Sequence, residues 1–155
     1  MVHYIERLEN AKKSLKVADH MLTITHNVVN DPKLLVLVLQ KLENALNNIM
    51  AAVLHYELYY HRIPKFEESF KAMFDIFKVR CIRRYNLDAS YIELINETYN
   101  TLKQQKEGPV GFARKGKYVI CSDNYEMKVL TKESLAKYVQ KTKLFIKDVE
   151  KMITK

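Results

Sequence analysis

Residues 110–155 read VGFARKGKYVICSDNYEMKVLTKESLAKYVQKTKLFIKDVEKMITK. Two β-prone runs, Val110–Arg114 and Lys117–Ser122, flank Lys115–Gly116, and a third, Glu126–Leu130, follows the polar Asp123–Asn124 turn. Gly supplies turn geometry, while Val, Ile and Tyr favour a pleated, half-buried surface. Three short strands must cover their apolar face. The local cover is a helix from about Lys132 to Ile153, capped by Thr131 with Glu133 in its first turn. At about 100° per residue, Leu135, Tyr138, Val139, Phe145, Ile146, Val149, Met152 and Ile153 share one side of that helix. Lys137, Lys141, Lys147, Lys151 and Lys155 share the other, with Lys143 at the margin and Asp148 and Glu150 diluting the stripe. Leu144 interrupts the polar face and is a candidate contact to a partner subunit.

Working back toward the N-terminus, four helices are expected. The first spans Val2 to about Val29, with Ile5, Leu8, Leu15, Leu22 and Val29 at near-heptad spacing and Ala11, Ala18 and Thr25 between them. Asn30–Asp31–Pro32 ends it, and Asp31 and Pro32 suit the start of a second helix running to roughly His61. So short a connection predicts an antiparallel hairpin. The second helix has an inner stripe of Leu35, Val38, Leu42, Ala45, Ile49, Ala52 and Tyr56, broadened by Leu34, Leu37, Leu46, Val53 and Tyr60. Arg62–Ile63–Pro64–Lys65 breaks the pattern. A third helix, about Lys65–Tyr85, turns Phe66, Phe70, Met73, Phe74 and Phe77 inward. Asp88 caps a fourth, about Ala89–Glu107, with Ile92, Ile95, Tyr99 and Leu102 inward, and Gly108–Pro109 stops it. The fold class is therefore mainly α. It is a long-helix bundle in one domain, residues 1–155, with an antiparallel β-meander, residues 110–130, inserted before the last helix.

A chain of 155 residues has room for a real core, and its 48% apolar and 28% charged content is that of an ordinary globular protein. No run is long and apolar enough to span a bilayer, so no membrane association is expected. No small-residue cleavage pattern follows an apolar leader, and the expected location is the cytoplasm. The formal charge of +8 is uneven, because residues 110–155 hold 11 basic and 5 acidic side chains. A basic C-terminal third concentrates anionic partners without identifying them. Arg114, Lys115 and Lys117 form a basic hairpin tip, and with Lys137, Lys141, Lys147 and Lys151 they are the candidate nucleic-acid contacts. Tyr118 and Tyr125 offer stacking surfaces, or else pack the sheet.

No cofactor and no metal site are expected. The five histidines, His3, His20, His26, His55 and His61, show no metal-ligand spacing, and there is no nucleophile elbow and no Gly-rich phosphate loop. Two cysteines cannot build a disulfide framework; Cys81 and Cys121 pack as small hydrophobes, unless Arg80, Arg83 and Arg84 stabilise a Cys81 thiolate. His55, Tyr59 and Arg62 share one side of the second helix, and Arg80 and Arg84 share a face of the third. In an antiparallel pair of helices, Arg62 and Arg80–Arg84 lie at opposite ends.

Ala11–Leu15–Ala18, the helical pair across Asn30–Asp31–Pro32, and the final helix from Leu135–Ala136–Lys137 through Val149–Glu150 resemble the HEPN superfamily of small helical domains. That resemblance implies dimerisation, RNA cleavage, or association with a nucleotidyltransferase-like protein partner. The catalytic version of the family carries an Arg followed by His after four to six residues; no such pair is present here, and no catalytic residue carries over. The meander is a further departure. The expected function is a non-catalytic cytoplasmic interaction protein, a homo-oligomer, with RNA as a partner of its basic end. One alternative is a divergent ribonuclease in which His55 and His61 transfer protons while Arg62, Arg80 and Arg84 stabilise phosphate charge. Another is a small-ligand-binding helical bundle.

Overall fold

The computed structural model describes residues 3–29, 31–107, 110–121 and 126–153. Val2, Asn30, Gly108–Pro109, Ser122, the Asp123–Asn124 turn, Tyr125 and Lys155 lie outside the described residues. The expected mainly helical architecture is present, with a three-stranded antiparallel sheet before the final long helix.

The apolar N-terminal seam forms α1 (His3–His20), which continues through a π-helical turn (Met21–Thr25) into a last short turn, α2 (His26–Val29). Leu8, Ala11, Leu15, Ala18 and Leu22 are buried, as their spacing requires. Val29 is not, and His26 is buried in its place. A π turn adds a residue per turn, which rotates everything after Met21 out of the heptad frame. Ile5, in the first turn of α1, is also exposed.

α3 (Leu34–Tyr59) is the central element. Its entry is fixed by Asp31, whose Oδ1 accepts from Lys33 N at 3.0 Å and whose carbonyl accepts from Leu34 N at 3.0 Å. The whole expected inner stripe is buried. Met50, Ala51, Val53 and Leu54 are buried too, because α1, α4, α6 and α7 all pack on this helix. Leu37 and Tyr60, near its two ends, stay exposed, where fewer neighbours reach.

The third helix starts later than Lys65. Residues 62–69 form an irregular strap, and α4 (Phe70–Ile76) begins where Ser69 Oγ accepts from Ala72 N at 3.3 Å. It continues through a second π turn (Phe77–Cys81) into α5 (Ile82–Arg84). Of the expected aromatic face only Phe77 is fully enclosed; Phe66, Phe70 and Phe74 are half-buried at its rim. α6 (Ser90–Glu107) is capped by Asp88, which accepts from Ser90 N at 2.9 Å.

β1 (Val110–Arg114), β2 (Lys117–Cys121) and β3 (Met127–Leu130) pair in that order. Lys115 and Gly116 both take positive φ, 49° and 75°, the backbone that a tight two-residue hairpin needs. The register sets Gly111, Ile120 and Lys128 in one row and Phe112, Val119 and Val129 in the next. Successive rows face opposite sides of the sheet. Tyr118, Ile120 and Leu130 are buried toward the helices, and Lys128 ties the same side to Glu97 of α6 at 2.6 Å.

α7 (Lys132–Ile153) closes the core. Thr131 Oγ1 accepts from Ser134 N at 3.0 Å, as its position predicts. Phe145 is fully buried, stacked on Tyr91 at 4.3 Å and tilted against Phe77 at 5.8 Å. It joins α7 to α6 and to the second π turn. Phe145→Ala is expected to lower unfolding free energy by about 3–5 kcal/mol in urea titrations, with a change well below 1 kcal/mol locating the packing of these elements elsewhere.

Candidate functional site

The C-terminal turn of α3 gathers most of the catalytic candidates, in two separate groups. Glu57 is only 1% exposed. It accepts a hydrogen bond from the Tyr85 phenol, and Arg62 Nη1 and Arg84 Nη1 lie 3.6 and 3.8 Å from its carboxylate oxygens. Arg62 Nη1 also donates to Tyr85 Oη at 2.9 Å. The expectation that Arg62 and Arg84 sit at opposite ends of a helix pair is therefore corrected. The strap at residues 62–69 runs back along α3 before α4 begins, so α5 returns to the end of α3 that Arg62 occupies. Arg80 is exposed and does not join the carboxylate.

His55 stands two residues before Glu57, about 200° around the helix. Its ring stacks on His3 at 5.2 Å and tilts against Phe66 at 5.1 Å. Its Nε2 lies 2.8 Å from Glu68 Oε1, the oxygen that Arg7 Nη2 reaches at 2.7 Å. Arg7 also donates to Asn48 Oδ1 at 3.3 Å, so this second group latches the strap to α1 and α3. His55 and Arg62 consequently do not form one site. His61 has a different role. It takes a φ of 57° while Arg62 N donates to Glu57 O at 2.9 Å and His61 N to Leu58 O at 3.0 Å. This is the left-handed cap that ends α3, in a place Gly usually fills.

Four tyrosines cluster beside Arg62. Tyr4 meets Tyr56 and Tyr59 edge-on at 5.1 and 5.8 Å, and Tyr60 meets Tyr56 and Tyr59 at 5.0 Å each. The Arg62 guanidinium lies 5.1 Å from the Tyr60 ring centre and 5.8 Å from that of Tyr56. Cys81 is buried beside this cluster. Burial, with the Glu57 charge adding to it, pushes its thiol up to about 12 against the opposing pull of Arg84 and Arg80. A stabilised thiolate is thus overturned, because desolvation outweighs the arginines.

The basic candidates fall on two other surfaces. Arg114, Lys115 and Lys117 stand at the tip of the sheet, beside Phe112, Val119, Met127 and Val129 on its outer side. Phe112 is 38%, Val129 46% and Met127 65% exposed. Tyr118 faces inward, so it packs the sheet; Phe112 is the outward ring, and strict alternation along β1 was its only sequence signal. On α7, Lys137 and Lys141 line a hollow toward α6, while Lys143 and Lys147 line a groove of about 520 Å³ toward α1 with Lys12 and Lys16. Lys151 is exposed on the same helix. Leu144 is exposed and lines both hollows. Two of the lysines are already paired, Lys12 with Glu150 at 2.8 Å and Lys143 with Asp19 at 3.0 Å. The sheet tip shares no lining residue with these two grooves.

Among the described residues no group of three His, Cys, Asp or Glu side chains is arranged to hold a metal ion. No described helix is long and apolar enough to cross a membrane. No protein-family model matches the sequence, and a comparison with curated proteins finds no match. Glu57 was missed as a functional candidate. Its signal was a single carboxylate set in the apolar and aromatic run Val53–Tyr60.

Two measurements test these assignments. The hydrogen bond from His55, with Arg7 and the other neighbouring positive charges behind it, holds the Glu68 carboxyl below its ordinary 4.5. A folded-state value below the unfolded one contributes stability above about pH 4.5 and loses it as pH falls through the folded value. Glu68→Gln is expected to flatten the acid limb of the stability curve below that pH, and an unchanged limb would remove the latch from the account. In native protein, a thiol reagent is expected to modify the partly exposed Cys121 first and to leave Cys81 intact until unfolding. Peptide mapping by mass spectrometry distinguishes the two.

Proposed function

We propose that this chain is a non-catalytic cytoplasmic interaction protein that binds single-stranded RNA across the outer face of its sheet. The observation that carries this reading is the outer side of the sheet, where exposed Phe112 and Val129 flank a buried Val119 and the face ends in Arg114, Lys115 and Lys117. An exposed ring beside apolar side chains gives bases a surface to stack on, and adjacent cations neutralise phosphates without reading sequence. The pattern suits a single strand, whose bases are free to lie flat, better than a duplex. The lysines of α7 then act as a secondary electrostatic field, since part of that surface is neutralised by Asp19 and Glu150.

Self-association, and with it the HEPN-like relationship and a nucleotidyltransferase-like partner, belongs to the same proposal. Its own support is the exposed apolar side chains Val17, Ile24 and Val28 of the first helical run, together with Leu144 on α7. The ribonuclease alternative has less support, because His55 and the arginine pair occupy different sides of α3.

Fluorescence anisotropy with labelled single-stranded RNA, duplex RNA and single-stranded DNA across salt concentrations tests the reading. Single strands are expected to bind more tightly than duplex, with affinity falling as salt rises. Phe112→Ala is expected to weaken binding by roughly 5- to 100-fold, as loss of a stacking ring does. The double variant Arg114→Glu, Lys117→Glu is expected to abolish binding at moderate salt. Binding insensitive to these variants but lost on charge reversal at Lys141 and Lys147 would move the contact to α7, and no binding at low salt would end the RNA reading.

A further inference from the structure

The Glu57 cluster sets two guanidinium groups against one carboxylate. A buried carboxylate must be partnered. Tyr85 and Arg62 approach Oε1, and Arg84 Nη1 lies 3.8 Å from Oε2. Two guanidinium groups against one carboxylate leave a net charge of +1 at this point.

Neither arginine is required to cap a helix. The last carbonyls of α3 are taken by backbone donors, Tyr60 N on Tyr56 O, Arg62 N on Glu57 O and His61 N on Leu58 O. The end of α5 is closed in the same way, with Leu87 N on Ile82 O at 3.0 Å and Asn86 in the left-handed conformation at φ 51°. Both caps instead fix the backbone from which the arginines project. Each arginine turns Nη1 toward Glu57, which leaves further N–H donors of each guanidinium fork available to another acceptor. Those side chains are 34% exposed for Arg62 and 50% exposed for Arg84. Half-exposed guanidinium forks ion-paired with a fixed carboxylate suit a planar or tetrahedral oxyanion. The exposed ring of Tyr60 stands beside Arg62, with that of Tyr59 against it.

We propose that Arg62 and Arg84, held by Glu57 and Tyr85, form a binding site for the terminal phosphate of a nucleotide. A terminal phosphate presents three free oxygens, enough to accept from both forks at once, and the neighbouring tyrosines offer its base a stacking surface. The phosphate has two sources, a free mononucleotide or the phosphorylated end of an RNA. The site lies on the α3–α5 end of the bundle and does not depend on the sheet face.

The test is a titration of full-length protein followed by NMR of the arginine side-chain Nε–H groups at low ionic strength. Inorganic phosphate, a nucleoside 5′-monophosphate and the unphosphorylated nucleoside are the probes. Saturable shifts confined to Arg62 and Arg84 are expected with the first two, and none with the nucleoside. The mononucleotide is expected to bind more tightly than phosphate. Arg84→Ala is expected to weaken both at least tenfold, and Arg84→Lys to restore only part of the loss, because a point charge replaces a fork. Thermal unfolding of each variant checks that the fold persists, and Phe112→Ala is expected to leave these titrations unchanged. Tighter binding of a 5′-phosphorylated oligonucleotide than of its 5′-hydroxyl twin, lost in Arg84→Ala, assigns the site to RNA ends. Equal binding of the two oligonucleotides beside tight mononucleotide binding assigns it to free nucleotide. Unsaturable shifts spread over all arginines, or wild-type affinity in Arg84→Ala, overturns the proposal.

Discussion

α3 has almost no wet face through its middle. From Ala45 to Leu54 every residue but Asn47 is buried, including the polar Asn48. A helix of that kind cannot be stable as half of a two-helix hairpin, because burying one stripe leaves the other apolar surfaces in water. It requires cover on several sides, and α1, α4, α6 and α7 supply it. Asn44 and Asn48 are tolerated because they are partnered, whereas Asn47 Oδ1 is buried without a hydrogen-bond partner among the described residues. Asn48 Nδ2 donates to Asn44 O at 2.9 Å, its Oδ1 accepts from Arg7, and Asn44 Oδ1 accepts from Ser14 at 2.6 Å. Breaking such partners would leave desolvated amides in the core, which costs more than the hydrogen bonds contribute.

The same demand explains the unusual route of the chain between Tyr60 and Phe70. A third helix started directly after Pro64 would run antiparallel to α3 and end far from Glu57. The strap, held by Glu68 against Arg7 and His55, spends those residues travelling back along α3 first. The following helix then ends at the last turn of α3, where Tyr85 and Arg84 close over a carboxylate that would otherwise be buried alone. The strap latch and the buried acid are thus two halves of one arrangement. They differ in exposure, and therefore in how strongly solvent screens them.

Charge is distributed by a different logic. The basic excess of the C-terminal third does not collect into one surface. Inward-facing Lys128 is spent on Glu97, and Lys143 is spent on Asp19. What is left forms a small basic tip on an apolar sheet face and a diluted stripe on α7. The sheet face is the more specific feature, because it joins an exposed ring to cations at one hairpin tip.

The helices, their inner stripes and the meander were legible in the residues, since periods of 3.6 and 2 and the turn residues Lys115–Gly116 are local properties of a chain. Thr131, Asp88 and Asp31 marked helix starts for the same reason. Three features were not legible. The π turns shift the frame of α1 after Met21 and lie within α4–α5, and no residue type announces them. The meeting of Arg62 with Arg84 depends on the path of an irregular strap, which no periodicity describes. The burial of Glu57 depends on what lands on it, and its partners Tyr85 and Arg84 are 27 or more positions away in the chain. Local pattern decides which segments are helix or strand; long-range packing decides which charged groups share a low-dielectric pocket, and the chemistry of this protein resides in the second kind of fact.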